Sequence, residues 1–265
     1  MSDYERNIAT AGPFGQAMGR AGTVAVDEGL RAYMLRIYNY MVLGLAITGV
    51  AALGTYMLSV TADPTLAALK LRDGLMLTEF GKALFVGPLK WAVIFAPLAL
   101  VFVLSMGIAR MRPATAQIVF WVYAALVGVS LASIFMVFTH TSIVRVFFIT
   151  AASFGALSLW GYTTQRDLTG MGSFLIMGLF GIILASLVNL FMQSNALQFA
   201  ISVIGVLVFA GLTAYDTQRL KSEYIYAAMD GEAAQRSSIM GALSLYLNFI
   251  NLFTLLLQLL GQRDE

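Results

Sequence analysis

From Ile37 to Val60 the chain carries not one charged residue. A helix rising about 1.5 Å per residue over that stretch spans the roughly 30 Å hydrocarbon core of a bilayer. Six more apolar runs follow: Trp91 to Ala109, Ala114 to Phe138, Ile143 to Tyr162, Gly172 to Met192, Leu197 to Tyr215 and Ile239 to Leu260. Lipid offers the backbone no hydrogen-bond partner, so only helices and closed barrels cross it. None of the runs sustains the period-two alternation of a barrel strand. The expected fold is therefore an all-α polytopic membrane protein, a bundle of seven transmembrane helices. Composition agrees, with 59% of residues hydrophobic, 11% charged and a mean hydropathy of +0.81, against about 25% charged in soluble domains.

The segments between the runs set boundaries and orientation. Residues 1–30 mix Gly, Ala and polar residues with no apolar core, and are expected to form a cytoplasmic, partly disordered N-terminal tail ahead of a membrane domain over residues 31–265. Thr61 to Lys90 reads as a long loop with a short interfacial helix around Leu66 to Leu77. Pro97 removes a backbone donor inside the second run and is expected to kink it. A cytoplasmic amino terminus puts ten Lys and Arg residues inside, among them Arg31, Arg110, Arg112, Arg166, Arg219 and Lys221, and six outside. The positive-inside rule favours that orientation, with the carboxyl terminus outside. The last run is the most polar, and a re-entrant course there returns the tail to the cytoplasm.

Several chemistries are excluded. There is no cysteine, hence no disulfide, thiolate metal site or cysteine nucleophile. The single histidine, His140, rules out a His-Glu-x-x-His zinc site and sits in a short, solvated loop. A net charge of +2, spread between apolar blocks, makes no nucleic-acid surface. No cofactor or resident metal is implied.

What remains is a small polar constellation. Asp216 ends the sixth run as a carboxylate at a membrane helix terminus, where such groups face a bundle interior, a water-filled cavity or head-group water. In the seventh run Ser244, Asn248, Asn251 and Gln258 recur at steps of four, three and seven, with Thr254 between. Those steps keep them on one helical stripe, which lipid disfavours, so the last helix is expected to be the most enclosed. The spacing alone leaves open whether the stripe glues helices together or lines a pathway.

Three segments carry a resemblance: YNYM at Tyr38 to Met41, AYDTQRLK at Ala214 to Lys221 and ALSLYLNFINLF at Ala242 to Phe253. They resemble the bacterial branch of the Bax inhibitor-1 family, over nearly the whole chain past Arg31. The resemblance implies a multi-pass protein of the bacterial inner (plasma) membrane with a central last helix. It also implies a pH-sensitive calcium leak gated by two hydrogen-bonded aspartates, one matching Asp216 and the other Asn248. Bacterial relatives further resemble modulators of the membrane-bound protease FtsH. Where the family motif reads LYLDFINLF, this chain has Asn248. Two close carboxylates share a proton and let pH set a gate, whereas an amide cannot titrate and simply donates to an ionised Asp216.

The candidate pathway and sensor residues are thus Asp216, Asn248, Asn251 and Ser244, with Arg110 or Arg112, at the end of the second run, as the counter-charge to Asp216. The expected function is a passive calcium or cation leak with weakened or altered pH gating. The alternative is a non-conducting, membrane-embedded modulator of an FtsH-type protease. An enzyme is not expected, since no run contains a histidine to serve as base.

Overall fold

The computed structural model describes residues 13–72, 75–227 and 231–264. Its long helices are α1 (Pro13–Ser59), α3 (Leu89–Gly107), α4 (Pro113–Leu131), α6 (His140–Thr163), α7 (Thr169–Met192), α8 (Asn195–Ala227) and α9 (Gly231–Leu260). Two short helices accompany them, α2 (Glu79–Phe85) and α5 (Ile134–Val137). Seven of the helices are long and apolar enough to cross a membrane, α4 and α5 together making one crossing from Pro113 to Val137. The all-α polytopic fold stands. Exposure is inverted relative to a soluble protein: Phe191 is 82% exposed and Met106 79%, while Thr150, Thr213 and Thr217 are buried. The buried threonines donate to carbonyls one turn back in their own helices, which satisfies them without water.

Helix α9 is the axis, packing against α1, α4, α6 and α8. Its Tyr246 is fully buried, with its hydroxyl 2.7 Å from Thr48 Oγ1 on α1 and its ring edge-on to Phe120 and Tyr123 on α4. Close crossings depend on missing side chains. A Cβ on Gly128 would lie 2.4 Å from the Thr48 carbonyl oxygen, and one on Gly161 would lie 2.2 Å from that of Ala214. Gly49, Gly54 and Gly181, which the sequence offers equally as contact points, face open space. Pro97, where a kink was expected, lies within α3, a helix assigned from Leu89 to Gly107.

Three boundaries differ from the sequence reading. Helical backbone begins at Pro13, well before Arg31, and residues 1–12 of the expected tail lie outside the described residues. The polar stretch after Tyr215 is mostly helix, because Gln218-Arg219-Leu220-Lys221-Ser222-Glu223 are adequate helix formers and the drop in hydropathy marks a membrane edge, not a helix end. Among the described residues of Leu66 to Leu77, in the loop after α1, there is no helix. The loop holds a three-stranded antiparallel sheet, β1 (Val60–Thr61), β2 (Leu69–Arg72) and β3 (Leu75–Leu77), with Lys70 opposite Met76 and Val60 opposite Leu77. The alternation Leu69-Lys70-Leu71-Arg72 and the Asp73-Gly74 dipeptide, the latter outside the described residues, were the strand and hairpin signals.

The chain's end is tied down. Thr139 N donates to the Gln262 carbonyl at 3.0 Å, Gln262 N to Ser142 Oγ at 2.9 Å and Asp264 N to the Val137 carbonyl at 3.0 Å. The tail therefore sits beside the α5–α6 connection, at the opposite end of the bundle from Arg31. Helix α9 runs unbroken from Gly231 to Leu260, long and apolar enough to cross a membrane.

Candidate functional site

Helix α8 carries Asp216 within its length, with about three more turns beyond it. The sequence reading placed this residue at the helix end; the structure places it inside, 7% exposed, facing α9. Asn248 Nδ2 donates to Asp216 Oδ2 at 2.7 Å and Ser244 Oγ donates to the same oxygen at 2.9 Å. A carboxylate only accepts, so the amide must turn its NH2 toward Asp216. Ser244 and Asn248 lie one turn apart on α9, which lets both converge on a single carboxylate oxygen.

The other oxygen, Oδ1, is met by Arg219 at 3.1 Å. This is a correction: the counter-charge is neither Arg110 nor Arg112, both exposed around the turn that joins α3 to α4. Arg219 sits three residues along the same helix, an i,i+3 neighbour hidden from view once the helix was ended at Tyr215. It also pairs with Glu223 at 3.5 Å, and its side chain is 41% exposed, so the cluster reaches solvent through Arg219.

These groups line one end of a cavity of about 570 Å³ between α7, α8 and α9. Ser244, Asn248, Asn251, Thr254 and Gln258, the whole polar stripe, line it. From Ser244 to Gln258 the stripe rises roughly 21 Å. Asn251 Nδ2 donates to its own helix at the Leu247 carbonyl, 2.8 Å, and Thr254 Oγ1 to that of Ile250, 3.0 Å. Neither bridges to another helix. The middle of the stripe lines the cavity, and only its two ends join α9 to α8.

The far end is built from amides. Gln258 Oε1 receives Gln198 Nε2 at 2.6 Å and Ser202 Oγ at 2.9 Å; Gln198 Oε1 in turn receives Asn189 Nδ2 at 3.1 Å. Asn189 Oδ1 accepts Ser194 N at 2.9 Å across the α7–α8 turn, where Gln193 takes a left-handed conformation (φ 50°). Of this set the sequence singled out only Gln258. Asn189, Gln198 and Ser202 were missed, although four amides around an uncharged turn inside apolar text, Asn189, Gln193, Asn195 and Gln198, were the available signal.

His140 opens α6, exposed, with its ring against Tyr56 and Phe135 and away from the cavity lining. Among the described residues no group of three or more His, Cys, Asp or Glu side chains converges as a metal site.

A seven-helix membrane bundle whose central last helix sets Ser244 and Asn248 against one buried carboxylate of the preceding helix defines the class. The chain belongs to the Bax inhibitor-1 family: the family described as "Inhibitor of apoptosis-promoting Bax1" matches residues 30–265. It is 50% identical to an uncharacterised protein of Rickettsia prowazekii and 44% identical to one of Caulobacter vibrioides, each over 100% of both chains. It is also 44% identical to the inner membrane protein YbhL of Escherichia coli, over 89% of this chain and 93% of that one. No enzymatic family is indicated by these matches.

Proposed function

We propose that this protein is a passive calcium or cation leak of the bacterial inner membrane, with pH gating weakened or altered by Asn248. The observation that carries the reading is a polar stripe lining a cavity whose charged end is one carboxylate bonded to an amide, a serine and an arginine. The neighbouring family position is an aspartate in relatives of the resembled type, and two carboxylates at 2.7 Å would have to share a proton. Here the amide holds the closed contact without one. The cation is cargo, not resident: one carboxylate and one amide oxygen fall far short of the six to eight oxygens, approximately, that calcium prefers. The amino terminus is cytoplasmic, which puts the Asp216 end inside and the Gln258 end outside. The inner membrane assignment is carried over from the name of the Escherichia coli relative.

Calcium flux into proteoliposomes, from about pH 6 to about pH 8, tests this for the unmodified protein, Asp216→Asn and Asn248→Asp. Flux with a shallow pH profile is expected for the first, and Asn248→Asp should steepen it. An unchanged profile in Asn248→Asp overturns the account of the pair, and no flux in any form overturns conduction.

A second reading, a modulator of an FtsH-type protease, draws on the helical backbone that α1 adds between Pro13 and the start of its span at Glu28. Deleting residues 1–27 should spare flux and abolish co-purification with the protease. Undiminished co-purification removes that reading.

A further inference from the structure

A second cavity, larger than that of the α7–α8–α9 site, belongs to neither of its ends. It is a groove of about 1010 Å³ between α1 and α6, floored by Phe249 of α9. On α1 its lining steps from Arg31 through Tyr38 to Gly49, a rise of about 27 Å, close to the thickness of a hydrocarbon core. On α6 it runs from Tyr162 past Ser158 and Gly155 toward Phe147. A Cβ added to Gly49 or Gly155 would meet nothing within 4 Å, so both walls are cut back. Leu35, Val42 and Leu159 line the groove and are 51%, 57% and 64% exposed, which opens it sideways at the depth of lipid chains.

The polar atoms of the floor are already spoken for. The Tyr38 hydroxyl bonds Ser158 Oγ, and Ser158 Oγ bonds Thr217 Oγ1 at 2.9 Å. An occupant along the floor thus needs no polar groups. Its head meets positive charge. Arg31 is exposed and forms no ion pair among the described residues. A second cation sits on Tyr162, another lining residue: Lys221 Nζ is 3.0 Å from the Tyr162 carbonyl oxygen and 5.1 Å over its ring.

We propose that this groove is a binding site for one anionic phospholipid, an acyl chain lying between α1 and α6 and the phosphate held by Arg31. The guanidinium presents paired N–H donors that match phosphate oxygens, and its stem lies on the apolar wall. An anionic head group adds charge that a zwitterionic one lacks, and a basic residue at the membrane surface is worth about a fivefold preference.

Native mass spectrometry of the full chain, given phosphatidylglycerol and phosphatidylcholine in equal amounts, reads this directly. One retained phospholipid is expected, with phosphatidylglycerol favoured about fivefold. Arg31→Gln should bring that ratio to about one while lipid is still retained. Gly155→Phe and Gly49→Phe fill the groove from opposite walls and should each abolish retention, so a folding failure in one leaves the other to decide. Retention undiminished in the folded groove-filling variants, or a head-group preference indifferent to Arg31→Gln, overturns the site.

Discussion

The two ends of the α7–α8–α9 cavity are lined by opposite kinds of polar cluster. At one end Asp216 gathers Arg219, Asn248 and Ser244 about a full charge. At the other, Gln258, Gln198, Ser202 and Asn189 pass hydrogen bonds among neutral groups. The charged end pairs a carboxylate with a part-exposed guanidinium, so added salt acts on it. The amide end holds no charge, so added salt leaves it alone. Between the two ends the polar middle residues bond to their own helix, and α9 stays packed on α8 through apolar contacts such as Leu255 against Gly205.

Backbone packing separates the ends further and gives the largest expected effect. Gly161 approaches the Ala214 backbone, two residues before Asp216, whereas Gly205, toward the other end, approaches only the Leu255 side chain, 2.7 Å from a built Cβ. A backbone cannot swing aside. Gly161→Ala should cost about 1–3 kcal/mol by overpacking and show a clearly lowered melting temperature in detergent. Gly205→Ala should cost less than about 1 kcal/mol, as Leu255 changes rotamer. Equal losses would mean that the two ends are held alike.

Next in size is Arg219→Gln, which leaves Asp216 buried beside neutral donors only. Breaking a fully buried pair costs about 3–5 kcal/mol. Arg219 is 41% exposed, so solvent replaces part of the lost attraction and about 1–2 kcal/mol is expected. The loss relative to the unmodified protein should shrink as salt is raised, because added ions screen the pair being compared. At the amide end Gln258→Leu removes two interhelical bonds, worth about 1 kcal/mol together, and its loss should be indifferent to salt. A salt-dependent loss at Gln258, or a salt-independent one at Arg219, breaks the distinction between the ends.

Sequence made the bundle legible, because uncharged runs of membrane length admit few alternatives, and the central place of α9 followed from the cost of showing Asn248 and Asn251 to lipid. What it hid has a common physical origin. Hydropathy reports the membrane edge, so α8 seemed to stop at Tyr215, and Arg219, one turn past Asp216, was lost while Arg110 and Arg112 were preferred on topology. The contact between Asp216 and Asn248 was legible only through family likeness, since residues 32 positions apart meet by tertiary packing that no local pattern encodes. The Gln198–Gln258 contact is of the same kind, but no motif flagged it. The small sheet was readable and misread: Leu69 to Leu77 alternates with period two, which outweighs its moderate helix propensity.

The smallest effect expected is also the control that assigns any pH response to Asp216. Asp167 lies in the loop between α6 and α7, at the same end of the bundle as Asp216 but outside the spans. Hydrogen bonds from the Thr169 side chain and from Thr169 N, the latter at 2.9 Å, hold its carboxyl below the usual carboxylate range. A lowered folded-state pKa stabilises the fold above the unfolded pKa and is lost as pH falls through the folded one. That window lies below about pH 4. Asp167→Asn should therefore leave the flux profile between about pH 6 and about pH 8 unmoved, and the small stability difference from the unmodified protein should vanish only in strong acid. If Asp167→Asn instead shifts the profile near neutrality, the response belongs to the loop carboxylates of that end, and Asp216, bonded by Asn248, Ser244 and Arg219, is a clamp and not the sensor.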